Sequence, residues 1–312
     1  MLVLQSLDGF ARRGSSLIMG KTVCFVSEKG GVGKTTACFE IAVALTEIYK
    51  LKVLVIDADY QRGGITGRLD AKLIAYFSQG EMPGITLFHK FQQLYSASGL
   101  TPDLDVHSSV FKIDFVPSDP RLSSISEDKL PSGKTIKQNN KLMLDHLMTV
   151  GLVLSPLVDK YNYILIDTHP EVSALLRSSI YASDYAVSPV KLDLQSAIGV
   201  PTVISEINGV NDDVTAIQAT LGEPKAYTPT KFVGAIGMMA REYGGSLKDS
   251  ENTEYRRLAR IGTVFDHYVT EGDGIRRAAQ NRTSVRYVSG ANASKQATQF
   301  DDVTAEFLQK CP

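Results

Sequence analysis

Short apolar runs recur along the chain and are separated by longer segments with helical periodicity. Several of these runs are apolar throughout instead of alternating with polar residues, which is typical of strands buried on both faces of a parallel sheet. The pattern predicts strands at residues 22–27, 52–57, 111–117, 163–167, 185–190, 232–237 and 264–269.

Helical segments lie between the predicted strands. The first of them, TTACFEIAVALTEIYK, places Phe39, Val43 and Ile48 among small apolar residues. Alternation of strands and helices predicts an α/β fold, a doubly wound and mostly parallel sheet of about seven to eight strands with helices on both faces.

The domain organisation follows from where this alternation is regular. We expect one domain over residues 21–312, preceded by an N-terminal extension, residues 1–20, that is flexible because it has only short apolar pieces. Residues 70–107 mix helical and loop patterns, and residues 208–230 are polar and turn-rich. Both segments are predicted to be insertions into the domain.

Composition and charge narrow the functional classes. The 312 residues are 43% hydrophobic and carry a net charge of −1, so any affinity for nucleic acid must come from a local patch. The three cysteines show no paired spacing, which favours a reduced, cytoplasmic compartment. No apolar run approaches the roughly 18 residues typical of a membrane span.

A glycine-rich loop follows the first predicted strand and opens the first predicted helix. It reads EKGGVGKTT from Glu28 to Thr36, and this strand–loop–helix context is the one that a phosphate-binding loop requires. Lys34 is placed to contact the outer phosphates, the Thr35 hydroxyl to bind Mg²⁺, and Thr36 to reach an inner phosphate. The loop is predicted to bind nucleotide through Lys29, Gly30, Gly31, Val32, Gly33, Lys34, Thr35 and Thr36.

Carboxylates end two of the other strands. Asp57 and Asp59 follow one apolar run, and Asp167 ends another. Ligands of an open parallel sheet lie beyond the carboxyl ends of its strands, so these side chains are expected near the loop. Asp167 is the candidate to hold Mg²⁺ through water, and Asp59 to orient or deprotonate the attacking water. Asp57 could share either role.

The motifs KGGVGKTT, DADYQ and LIDTHP together resemble those of the ParA/MinD family of deviant Walker-box ATPases, and the resemblance spans about residues 21–310. It implies a slow, partner-stimulated ATPase with ATP and Mg²⁺ as cofactors. It also implies that Lys29 is a signature lysine, which crosses an ATP-dependent homodimer to reach the phosphates of the partner subunit.

Two positions depart from the family pattern. Tyr60 and His169 stand where the family usually has prolines, in loops that respond to the outermost phosphate. We interpret His169 as a packed loop residue, with a role near the phosphates as the alternative.

Other members of the broad family fit less well. Nitrogenase iron proteins and arsenite-pump relatives need paired cysteines, and no cysteine lies between residues 39 and 310. A MinD-like, membrane-cycling ATPase is the alternative function. It would need a basic amphipathic C-terminal helix, whereas the last turns carry Asp301, Asp302 and Glu306 against Lys310 alone. We therefore expect no stable membrane association.

Arginines concentrate near the C-terminus. Residues 256–286 hold seven arginines against three acids, which favours sequence-independent DNA binding over a merely solvated face. The candidates are Arg256, Arg257, Arg260, Arg276, Arg277, Arg282 and Arg286. Together with this patch, the resemblance implies a cytoplasmic, nucleoid-associated partition ATPase that segregates or positions cargo with a ParB-like adaptor.

Overall fold

Eight strands form one central sheet in the computed structural model, which describes residues 20–62, 64–222, 227–262 and 264–312. The described residues contain ten strands, of which all but β8 and β9 belong to this sheet. In chain order they are β1 (Lys21–Phe25), β2 (Val53–Ala58), β3 (His107–Ser108), β4 (Asp114–Val116), β5 (Tyr163–Thr168), β6 (Tyr185–Lys191), β7 (Lys231–Ala240), β8 (Glu242–Tyr243), β9 (Ser246–Leu247) and β10 (Val264–Thr270). The spatial order is β10-β7-β6-β1-β5-β2-β4-β3. Among the described pairs of this central sheet, only the pairing of β3 with β4 is antiparallel. The strands β8 and β9 form a separate two-stranded antiparallel hairpin.

Ten α-helices surround the sheet in the described ranges. They are α1 (Lys34–Glu47), α2 (Ile65–Leu69), α3 (Ile74–Gln79), α4 (Leu87–Tyr95), α5 (Ile136–Leu154), α6 (Ala174–Tyr181), α7 (Leu194–Leu221), α8 (Asp249–Ile261), α9 (Asp273–Gln280) and α10 (Ala291–Lys310). Short 3-10 helices lie at Ala71–Leu73, Pro120–Ser124, Glu127–Lys129, Val158–Lys160 and Val285–Tyr287.

Alternate residues of the strands face opposite layers of helices. Val23 and Phe25 of β1 pack in the core that includes α1 and α10, whereas Cys24 packs in the core that includes α5, α6 and α7. Both faces are therefore covered, which explains why the central strands are apolar throughout.

The predicted fold class is confirmed, with differences at particular segments. The strand predicted at 111–117 is limited to Asp114–Val116. The turn-rich interpretation of 208–230 is wrong for its first part, because residues up to Leu221 continue the 28-residue helix α7. Residues 223–226 and the predicted extension up to residue 19 lie outside the described residues.

One helical segment is long and apolar enough to cross a membrane by length and composition, contrary to the expectation from the sequence. It spans Ile136–Lys160 and includes α5. In this structure α5 packs against α4, α6 and α7, and Leu147, Val150 and Val153 are buried. The core helix of a folded domain passes the same length test, so the segment is explained by its place in the helical layer.

The C-terminal helix α10 packs its apolar side onto the sheet and α1. Phe307 is fully buried, with its ring centroid 5.6 Å from that of Tyr163 and 6.4 Å from that of Phe25. The apolar side of α10 is thus part of the domain core, which is the opposite of what a free membrane-binding helix needs.

We expect Phe307→Ala to lower the free energy of unfolding by about 3–5 kcal/mol, because it removes a buried ring and leaves a cavity. Gln309→Ala, at an exposed position of the same helix, should change it by less than about 0.5 kcal/mol. Urea unfolding of both variants measures the difference. Equal, small effects would show that α10 is not docked as described.

Candidate functional site

The loop between β1 and α1 has the backbone of a phosphate cradle. Gly31 and Gly33 have φ angles of 74° and 94°, in the left-handed region that favours glycine. No side chain caps the N-terminus of α1, so its first N–H groups are left to face a ligand. The predicted loop therefore lies at a helix N-terminus, as its sequence required.

Lys34 and Asp167 form a buried ion pair under this loop. Lys34 Nζ lies 3.0 Å from Asp167 Oδ1 and also donates to the Thr168 carbonyl, and the two side chains are 6% and 0% exposed. Burial raises the pKa of Asp167, while Lys34 and a hydrogen bond from Thr35 lower it. The other oxygen, Asp167 Oδ2, is buried with no hydrogen-bond partner among the described residues. It is therefore a free acceptor for a water molecule or a cation.

The described residues contain no preformed cage of three or more metal-binding side chains. Mg²⁺ does not need one, because it usually keeps several waters and binds one or two carboxylates together with phosphate oxygens. The Thr35 hydroxyl and the free oxygen of Asp167 fit that requirement.

Asp57 has different contacts from those of Asp167, although the two residues are directly paired across β2 and β5. Its carboxylate accepts hydrogen bonds from the Thr66 backbone N–H at 2.8 Å, the Thr66 hydroxyl at 2.5 Å and the Asp59 backbone N–H at 3.1 Å. Burial, and next the facing Asp167, raise the pKa of Asp57 to about 8. Its oxygens are thus used to hold the start of α2, and this arrangement favours a structural role over the predicted metal role.

Asp59 lies at the edge of the cradle and is fixed by neighbouring groups. Its Oδ1 is 2.9 Å from His169 Nδ1 and accepts a hydrogen bond from the Gln61 backbone at 3.0 Å. Its carbonyl accepts from the Ser118 hydroxyl at 2.7 Å. The carboxylate is therefore positioned, as a group that orients a water molecule must be.

The two departures from the family pattern touch each other. The rings of Tyr60 and His169 stack with centroids 4.1 Å apart, and His169 is only 4% exposed. His169 is thus packed, as interpreted, but it also contacts Asp59. The contact between His169 and Asp59 was not predicted from the sequence. Two signals for it were available: His169 lies in the LIDTHP motif, two residues after Asp167, and both replacements are aromatic.

A cavity of about 340 Å³ lies over the loop. Asp59 and the predicted loop residues other than Val32, which is buried, are among its lining residues. The sequence analysis missed the other lining residues, which are Ser27, Gln61, Pro170, Met238, Met239 and Ile275. Met238 and Met239 come from β7 and add apolar side chains to the cavity lining beside the phosphate cradle. A cavity with both polar and apolar lining suits a nucleotide.

Lys29 also lines this cavity but takes no part in the buried ion pair. It is exposed, and its Nζ donates to the Gln195 carbonyl of α7 at 3.3 Å. Lys29 and Lys34 therefore occupy different positions, one at the rim and one beneath the loop.

The structure divides the predicted arginine patch into two groups. Arg256, Arg257 and Arg260 lie on α8, which packs against α7. The other four form the α9 group: Arg276 and Arg277 lie on α9, which packs against α10, and Arg282 and Arg286 follow it. These two groups lie on opposite faces of the sheet.

The arginines of the α9 group differ in their contacts. Arg277 pairs with Asp273 at 3.1 Å and donates to the Ser289 carbonyl, and Arg286 pairs with Asp301. Within the described ranges, Arg276 and Arg282 are exposed and have no ion pair, so they are the better candidates for an external anion.

Comparisons with known proteins agree with this geometry. A family model described as an AAA domain matches residues 20–219, more than half of the chain. A virulence plasmid ParA family protein of Chlamydia psittaci is 25% identical over 254 residues, which cover 80% of this chain and 88% of that protein. An uncharacterized protein of Mycobacterium tuberculosis is 27% identical over 223 residues, and the match covers 69% of this chain but only 63% of the relative.

The solved structure of a Cyanothece McdA–ATP complex has the same fold, with a TM-score of 0.69 at 19% identity over 93% of this chain and 97% of that one. The strand order, the cradle and these matches point to one family. The chain is a member of this AAA-domain family, a P-loop ATPase of the ParA/MinD type.

Proposed function

We propose that the chain is an ATP-driven partition ATPase, which dimerises on ATP, binds DNA non-specifically as a dimer and positions its cargo with a ParB-like adaptor. The observation that carries this proposal is the second lysine. Lys29 lies exposed at the rim of the nucleotide cavity, while Lys34 already provides the cation beneath the loop.

ATP binding requires Lys34 to exchange partners. In the structure the Lys34 ammonium forms an ion pair with Asp167. When ATP binds, the γ-phosphate would replace Asp167 as the partner of this ammonium. Asp167 would then be left to hold Mg²⁺ through water, together with the Thr35 hydroxyl. The free Oδ2 of Asp167 supports this assignment.

Lys29 acts across the dimer in this proposal. A triphosphate that is buried between two chains needs more positive charge than one loop supplies. Among the described residues, the hydrogen-bond partner of Lys29 is a backbone carbonyl at 3.3 Å, and that weak contact is readily given up when a second subunit approaches.

Hydrolysis is assigned to Asp59, with His169 as the residue that positions it. The contact at 2.9 Å fixes one carboxylate oxygen, and the other is available to orient the attacking water. We propose that the reaction is slow until the adaptor binds, and that hydrolysis releases the dimer from DNA.

DNA binding is assigned to the α9 group of arginines. The protein is proposed to act in the cytoplasm, bound to the nucleoid. The packing of α10 into the core supports DNA over a membrane as the surface that the dimer binds. The plasmid ParA family relative supports a role in partition.

We expect Lys29→Ala to leave nucleotide binding by the monomer near the wild-type level, since Lys34 and the backbone cradle remain. The dimer should weaken by about ten- to a hundredfold, because a charge-assisted contact contributes roughly 1.5–3 kcal/mol, and hydrolysis should fall with it. Lys34→Ala should instead abolish nucleotide binding.

Light scattering and calorimetry with a non-hydrolysable ATP analogue measure both effects. Lys52→Ala removes an exposed lysine just before β2, at the opposite end of the strands, and serves as the control for lost charge. A normal ATP-dependent dimer of Lys29→Ala would rule out the cross-subunit role.

Asp59→Ala should uncouple binding from hydrolysis. Loss of a positioned base typically costs about a hundred- to ten-thousand-fold in rate, while ATP binding is nearly unchanged. The variant should accumulate as an ATP-bound dimer on DNA. Asp57→Ala should mainly lower the melting temperature, because Thr66 loses its acceptor.

Single-turnover hydrolysis and nucleotide occupancy, measured in parallel, separate the two aspartates. Tyr60→Phe keeps the ring against His169 and is the matched control with nearly normal turnover. Normal hydrolysis by Asp59→Ala, or a failure to load Mg·ATP, would assign Asp59 to structure or metal binding.

With the ATP analogue, the wild-type protein should bind DNA of any sequence in a gel mobility-shift assay and should not sediment with anionic vesicles. Arg276→Ala should weaken DNA binding by a similar factor on every sequence and reduce the salt slope by about one, because it loses a phosphate contact. Arg277→Ala should have a smaller effect, since Arg277 is held by Asp273.

Arg256→Ala is the matched control, because Arg256 is an exposed arginine on the opposite face. Undiminished binding by Arg276→Ala together with weaker binding by Arg256→Ala would move the DNA surface to α8. Pelleting with vesicles in place of a DNA shift would favour the MinD-like alternative.

A further inference from the structure

A second cavity, which we call the arginine cavity, lies beside the nucleotide site. Its volume is about 360 Å³, and its lining residues are Arg62, Gly67, Arg68, Ile74, Ala279 and Arg282. It is formed where Arg62, α2 and the start of α3 meet the end of α9 and the loop that follows. No acidic side chain is among the lining residues, so the cavity is positively charged.

The arginines of this cavity have unused capacity for hydrogen bonds. Arg62 and Arg282 are exposed and have no ion pair with any residue that the structure describes. Arg68 is only 7% exposed, and its Nε–H is buried without an acceptor in the described part of the chain. Arginine N–H groups that lack acceptors, grouped around one space, are the arrangement that binds phosphate.

Arg68 also connects this cavity to the phosphate loop. Its guanidinium lies 3.4 Å from the Thr36 hydroxyl and 3.2 Å from the Thr283 carbonyl, and it stacks on the Phe39 ring at 4.2 Å. Thr36 lines the nucleotide cavity, and Thr283 follows Arg282 directly. One side chain therefore touches the walls of both cavities.

A buried carboxylate fixes the orientation of Arg68. Glu40 of α1 is 3.3 Å from Arg68 and also accepts hydrogen bonds from the Ser284 hydroxyl at 2.5 Å and the Val285 backbone at 3.1 Å. This arrangement ties α1, α2 and the loop after α9 together. It neutralises Arg68 and leaves the charges of Arg62 and Arg282 uncompensated.

We infer that the arginine cavity binds a backbone phosphate of DNA through Arg62 and Arg282, and that Arg68 couples this phosphate to the nucleotide at Thr36. The inference rests on the proposed binding of DNA. It adds a specific phosphate subsite, and a path by which DNA and nucleotide influence each other.

The test compares the double variant Arg62→Ala/Arg282→Ala with the double variant Arg256→Ala/Arg260→Ala, which loses the same charge from α8. DNA affinity is measured over a salt series with the ATP analogue. The cavity variant should bind at least about tenfold more weakly with a salt slope smaller by about two, since two phosphate contacts are lost. The α8 variant should stay close to wild type.

A second measurement tests the coupling between DNA binding and nucleotide binding. Adding a short duplex should tighten binding of the ATP analogue by wild type, and the cavity variant should lose that gain, because linkage between two ligands is reciprocal. Nucleotide affinity without DNA should be unchanged in the variant, which also shows that it is folded.

The outcomes distinguish this inference from the proposed function. If wild type binds DNA and the cavity variant shows the same DNA affinity and the same coupling, the phosphate subsite is wrong and the proposed function still stands. No DNA shift by wild type overturns both. Binding of inorganic phosphate that wild type shows and the cavity variant lacks, without any change in DNA affinity, overturns DNA as the source of the phosphate.

Discussion

The buried ion pair between Lys34 and Asp167 is the interaction on which the site depends. It joins the first residue of α1 to the end of β5, and both side chains are almost fully buried. Two charges are rarely removed from water unless each compensates the other, and removing one partner leaves an uncompensated charge. The pair therefore holds the Lys34 ammonium beneath the loop. In the proposed function, a phosphate of ATP replaces the Asp167 carboxylate as the partner of that ammonium.

The strand ends around this pair have separate tasks. Asp167 keeps one free oxygen, Asp57 holds Thr66 at the start of α2, and Asp59 is positioned by His169. Three carboxylates of similar sequence context thus differ in their contacts, and these contacts decide which of them can meet a metal or a water molecule. Asp57 thereby also fixes the start of α2, the helix that carries Arg68.

Much of this arrangement could be predicted from local sequence. Apolar runs predicted seven of the eight strands of the sheet, all except the two-residue β3. The glycines with Lys34 predicted the cradle, because strand burial and loop geometry are set by neighbouring residues. The stacking of Tyr60 on His169 depends on two loops brought together by the pairing of β2 with β5, so neither residue alone revealed it. The place of Met238 and Met239 in the nucleotide cavity could not be predicted for the same reason, because β7 is far from the phosphate loop in the sequence.

The arginines show the same limit. A count along residues 256–286 predicted one patch, but the crossover through β10 places α8 and α9 on opposite faces of the sheet. The helix α7 was underestimated for another reason. Its polar second half reads as a loop, yet Val210 and Val214 recur at helical spacing and are fully buried.

The central claim is that ATP, and not ADP, brings two copies of this chain together through the loop that holds both lysines. The most direct test is the mass of the wild-type protein by analytical ultracentrifugation, at saturating ATP analogue and at saturating ADP, each with Mg²⁺. The account predicts a dimer with the ATP analogue and a monomer with ADP. A monomer in both states, or an equal dimer in both, would contradict it.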